Sequence, residues 1–186
     1  MDAFLVSSGL VALGEVGDKT QLLALLLAAR FRRPWPLIAG ILVATLLNHA
    51  VAGAAGAWVA AALGPQLMRW TLGASFIAMA VWTLIPDKAD EGAVAAGRLG
   101  VFGTAALAFF IAEIGDKTQI ATVALAARYD ALPAVVAGTT LGMMLVNVPT
   151  VFIGERAAHR IPMRAVRGVA ALSFAVLGAL ALLGVG

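Results

Sequence analysis

The sequence predicts an all-α integral membrane protein of six transmembrane helices, built as two inverted three-helix repeats. Three observations predict it. First, 62% of the 186 residues are hydrophobic and 12% charged, with a mean hydropathy of +0.97. A soluble domain carries about 45–50% apolar and about 25% charged residues. Second, the chain contains six apolar runs of the length a bilayer demands, about 20 residues. Third, its two halves repeat each other, and each half holds three of those runs, an odd number. Two like halves joined in one chain must then enter the membrane upside down relative to each other.

The runs follow in order. The first covers residues 3–29 and ends at a basic loop containing Pro34 and Pro36. The second covers 37–63 and the third 67–85. A polar linker, 86–98, follows. The fourth run covers 99–127, the fifth 132–154 and the sixth 165–185. Ala and Leu dominate these runs without alternation, which argues against strands of a membrane barrel. The expected organisation is one membrane domain, with residues 1–85 and 99–186 as the two repeats.

The repeat is visible residue by residue. Glu15, Asp18, Lys19, Thr20 and Gln21 recur as Glu113, Asp116, Lys117, Thr118 and Gln119, each 98 positions on. Ala39-Gly40 recurs as Ala137-Gly138, and Asn48 as Asn147 after one inserted residue.

Loop charges orient the spans. Arg30, Arg32, Arg33, Lys88, Arg98, Arg156, Arg160, Arg164 and Arg167 fall on one side, and only Arg69 and Arg128 on the other. The richer side is expected to be cytoplasmic, with both termini outside. The first run has no basic leader region and continues through charged residues, unlike a cleavable signal peptide. Trp35, Trp58, Trp70 and Trp82 fall near span ends, as interfacial anchors do. The net charge of +3 sits in short loops with no aromatic interleaving, which argues against nucleic acid as a partner. The chain has no cysteine, so disulfides and thiolate metal sites are excluded.

The ionisable groups inside the spans carry the chemistry. Each costs about 2.5–3.5 kcal/mol at a helix centre, roughly 15–20 kcal/mol for six. They must face protein, water or an ion. Glu15 and Asp18 share a helical face with Lys19 beside them, as do Glu113, Asp116 and Lys117. Inverted symmetry can bring both clusters together near the midplane. Four carboxylates, with Thr20, Gln21, Thr118 and Gln119 as further oxygens or gates, suit a hard divalent cation: Ca²⁺, Mn²⁺ or Mg²⁺. Gly17 and Gly115 allow the backbone to kink between the acids, as in the discontinuous helices of transporters. Close carboxylates also repel one another, so protons and a metal ion compete for the same oxygens, the minimum needed for antiport. The plainer reading is internal ion pairing, with Lys19 and Lys117 each neutralising one acid. It leaves two acids unexplained.

These residues resemble the Gdt1/TMEM165 family of membrane cation transporters, also called uncharacterised protein family 0016. Its signature is two copies of Glu-hydrophobic-Gly-Asp-Lys-Ser/Thr. Here they read EVGDKT from Glu15 to Thr20 and EIGDKT from Glu113 to Thr118. The resemblance covers essentially the whole chain. It implies an exchanger of Mn²⁺ or Ca²⁺ against protons, with Glu15, Asp18, Glu113 and Asp116 as the acidic motif residues. It assigns Lys19 and Lys117 no settled role. The short linker favours a bacterial inner-membrane manganese exporter.

Asn48, Asn147 and His49 lie in the middle of the second and fifth runs. They line the ion pathway or bond helix to helix. His49 has no counterpart, since Val148 holds its place. No tightly bound cofactor is expected and no nucleophile-base pair suggests an enzyme. A divalent cation channel, or an exporter of a cationic organic solute, would use the same acids.

Overall fold

Glycine sets where the first and fourth runs break. In the computed structural model, which describes residues 1–85, 99–153 and 163–184, α1 (Asp2–Glu15) ends at the motif and α2 (Lys19–Phe31) begins just beyond it. Val16 is extended, Gly17 takes φ +81°, and Asp18 caps α2 in an extended conformation. The second half repeats this with α5 (Gly100–Glu113) and α6 (Lys117–Arg128), where Gly115 takes φ +73°. A side chain at either glycine would oppose that left-handed turn. At about 1.5 Å per residue, α1 rises only about 21 Å, too short to cross a hydrocarbon core of about 30 Å alone. Each predicted long span is thus two helices meeting at the charged motif.

The other runs are continuous: α3 (Pro34–Ala62), α4 (Pro65–Thr83), α7 (Leu132–Ile153) and α8 (Met163–Leu183). Proline opens α3 and α4, where its missing N–H costs nothing. The described residues form eight helices and no strand, and α3, α7 and α8 are long and apolar enough to cross a membrane. Linker residues 86–98, together with Arg156, His159 and Arg160, lie outside the described residues.

The two halves interlock crosswise. α1 packs on α7, and its counterpart α5 packs on α3, while α3 and α7 meet between them. The close approaches are matched. A Cβ on Gly40 would lie 2.6 Å from the Phe102 carbonyl oxygen, and one on Gly138 would lie 2.5 Å from that of Phe4. Both contacts require glycine. α4 pairs with α8 through stacked Phe76 and Phe174.

Polarity runs inside out. Leu46, Val51, Leu145 and Leu172 point outward, while Thr45, Asn48, His49 and both motif glutamates are buried. Trp35, Trp58 and Trp70 are exposed. An apolar exterior around a polar interior is what a lipid surrounding favours.

Candidate metal centre

The helix breaks create the site. Asp18 and Asp116 cap the N-termini of α2 and α6, where the helix dipoles favour negative charge. Their backbone N–H groups donate to the carbonyls of Glu15 and Glu113, both at 3.1 Å, which ties each acid pair across its break. The motif glutamines pin the turn. Gly17 N donates to Gln21 Oε1 at 2.7 Å, and Gly115 N to Gln119 Oε1 at 2.8 Å. The glutamine oxygens that the sequence offers to a metal thus accept from the motif glycines. Their amide nitrogens reach other helices: Gln21 donates to Thr150 Oγ1 and Gln119 to Asn48 Oδ1.

Carboxylate oxygens of Glu15, Asp18 and Asp116 lie within 4.8 Å of one another, all buried. The Glu15 carboxylate accepts from Thr20 Oγ1 at 2.6 Å and from Thr118 Oγ1 across the halves. Thr118 is also 3.5 Å from Asp116 Oδ2. The lysines cross over: Lys19 Nζ is 3.2 Å from Asp116 Oδ1, and Lys117 Nζ is 3.9 Å from Asp18 Oδ1. Three anionic oxygens with hydroxyls beside them are a hard donor set.

Glu113 stands apart from this group. Its carboxylate accepts from Thr45 Oγ1 at 2.9 Å and faces His49 Nε2 at 3.8 Å, both on α3. The sequence expected four converging carboxylates; oxygens of three lie within 4.8 Å of one another, and Glu113, close enough to interact with Glu15 and Asp116, takes a donor of its own from α3. Asn48 donates to the Phe110 carbonyl at 3.1 Å and lies within reach of Glu113. Asn147 donates to the Met143 carbonyl at 3.1 Å and lies within reach of Glu15. Each asparagine therefore serves the opposite half.

Three contacts escaped sequence reasoning. Thr45 looks like an ordinary packing residue until α5 supplies Glu113. Thr150 shares no motif with its partner Gln21. Lys117 Nζ donates to the Ile85 carbonyl at 3.1 Å and stands 6.0 Å from the Trp82 ring centroid. The one sequence signal was a polar residue inside an apolar run.

Comparison with known proteins agrees with this chemistry. A family model described as "Divalent cation/proton antiporter GDT1" matches residues 3–91 and 101–185. A protein of Vibrio cholerae serotype O1, named "Putative manganese exporter", is 52% identical over 178 residues, 95% of this chain and 88% of that protein. "GDT1-like protein sll0615" of Synechocystis is 29% identical over 198 residues, 94% of this chain and 93% of that protein. No solved structure matches.

Proposed function

Since this chain belongs to the GDT1 family of divalent cation/proton antiporters, we propose that it exports Mn²⁺, with Ca²⁺ as a second substrate of the same site, from the bacterial cytoplasm in exchange for protons. It works in the inner membrane as six spans in two inverted repeats, with both termini outside. The observation that carries this reading is the meeting of Glu15, Asp18 and Asp116 at the two helix breaks.

The matched backbone of the two halves suggests how access alternates. In the arrangement described, Glu15 completes a site with both aspartates, while Glu113 is held by Thr45. Exchange of the two halves' conformations brings Glu113 to the aspartates and withdraws Glu15. Such exchange is what inverted repeats permit, and it opens the site to the other side. The aspartates hold the ion in both states. When the ion leaves to the outside, a proton from that side takes its place on the vacated carboxylates and is released inside when the next ion binds, so metal and proton move in opposite senses. Thr20 and Thr118 steer the glutamate carboxylate. Gln21 and Gln119 keep the turns closed, and Asn48 and Asn147 support the glutamates from the other half.

The test is metal-driven proton flux in proteoliposomes with a pH dye inside. Wild type should move protons only when Mn²⁺ or Ca²⁺ is supplied, and Asp18→Asn or Asp116→Asn should stop both fluxes. Metal entry without proton movement would make the protein a channel. Absence of metal flux, with protons driven by an organic cation, would make it a solute exporter.

A further inference from the structure

Lys19 and Lys117 occupy the same motif position, yet the structure treats them differently. Lys117 is seated. Its side chain is 7% exposed, its ammonium donates to the Ile85 carbonyl beyond the end of α4, and Trp82 flanks it. α4 packs on α6 and so holds this lysine in place. Among the described residues, Lys19 has no such seat. Its side chain is 27% exposed while the aspartate it meets, Asp116, is 3% exposed. Among the described residues, α8, the counterpart of α4, makes at most marginal contact with α2.

We infer that Lys19 is a tethered cation: its ammonium holds Asp116 between transport events and yields that carboxylate to the incoming divalent ion. The inference rests on the metal-binding role proposed for Glu15, Asp18 and Asp116. An ammonium 3.2 Å from Asp116 Oδ1 and a metal ion on the same carboxylate repel each other strongly. The lysine stem is long and flexible, and its partial exposure leaves the ammonium room to move off the carboxylate. The side chain acts by charge alone. When the metal leaves, the ammonium returns, so a buried aspartate is never left without a cation. The lysine thereby weakens metal binding and speeds metal release. Lys117, fixed by α4, stays beside Asp18 whether or not metal is bound.

The experiment is Mn²⁺ titration of the full chain in detergent, reading free Mn²⁺ by electron paramagnetic resonance. Lys19→Gln should bind Mn²⁺ about tenfold more tightly than wild type. Lys19→Met, which keeps the stem without the charge, should do the same and guards against a folding defect peculiar to one variant. Lys19→Arg should stay near wild type, and Lys117→Gln should not tighten binding. In liposomes, Lys19→Gln should lower KM and kcat together, because a tighter site empties more slowly. Unchanged or weaker binding in both neutral Lys19 variants overturns the tethered-cation role while leaving the metal site intact. A wild type that binds no Mn²⁺ overturns the metal site and this role with it.

Discussion

Glu15 and Glu113 end equivalent helices, precede equivalent glycine turns and are tied to equivalent aspartates, but they keep different company. Glu15 meets two aspartates and takes its hydroxyl donors from Thr20 and Thr118, both motif residues. Glu113 takes its donor from Thr45 on α3 and faces His49. The positions matching Thr45 and His49 are Met144 and Val148, which donate no hydrogen bond from the side chain in this way. Repeated sequence makes the backbone alike; the surrounding helices make the carboxylates unlike. One molecule thus presents two settings for the same group, and the proposed alternation rests on that difference.

The sharpest way to break this comparison is to neutralise each glutamate in turn. Glu15→Gln should weaken equilibrium Mn²⁺ binding about 100-fold, since it removes one of the three proposed ligands. Glu113→Gln should leave that binding within a few-fold, yet stop flux as completely as Glu15→Gln does. Equal loss of binding in both variants would show that all four acids hold the ion at once.

A second pair should behave alike. Gly40→Ala and Gly138→Ala each drive a Cβ against a backbone carbonyl, so each should lose about 1–3 kcal/mol of stability. Thermal melting in detergent would read this. One variant melting far below the other would mean that the α3–α5 and α1–α7 seams are not equivalent.

Thr45→Val comes next. It removes a hydrogen bond to Glu113 worth about 1.5–3 kcal/mol when its acceptor is charged. That change should shift the carrier toward the state in which Glu113 joins the aspartates, seen as an altered ratio of inward to outward labelling by a membrane-impermeant reagent at single introduced cysteines. An unchanged ratio would deny Thr45 any hold on Glu113.

The smallest effect belongs to His49→Val, which copies the residue found in the other half. At 3.8 Å its ring nitrogen is beyond hydrogen-bond range of Glu113, so flux should fall by less than about threefold. Loss of flux would make His49 part of the proton path.

How far the sequence could be read follows from which contacts are local. A kink at the motif was legible because Gly17 and Gly115 sit between acids inside apolar runs, and few other residues tolerate the required turn. The helical face expected to be shared by Glu15 and Asp18, and by Glu113 and Asp116, does not exist, because the helix breaks between the two acids. The all-helical fold was legible because the apolar runs are long and do not alternate. The separate hydrogen-bond setting of Glu113 was not legible. Its donor lies 68 positions away, and only the packing of α5 on α3 joins them. The pinning role of Gln21 and Gln119 was also hidden, because a glutamine beside two acids reads as a ligand until its oxygen is seen on a glycine N–H.

By itself, the sequence determined the helical, apolar class of the chain, the duplication, the family and the broken-helix motif. Each of these depends on composition, on spacing or on backbone freedom at single residues. The tertiary structure alone decided which three acids lie closest together, that the lysines cross to the opposite aspartates, and that Lys117 is buried against α4 while Lys19 is partly exposed. Those outcomes depend on which helices touch. In a duplicated chain the same local sequence meets different neighbours, and charge inside a membrane is governed by the nearest partners.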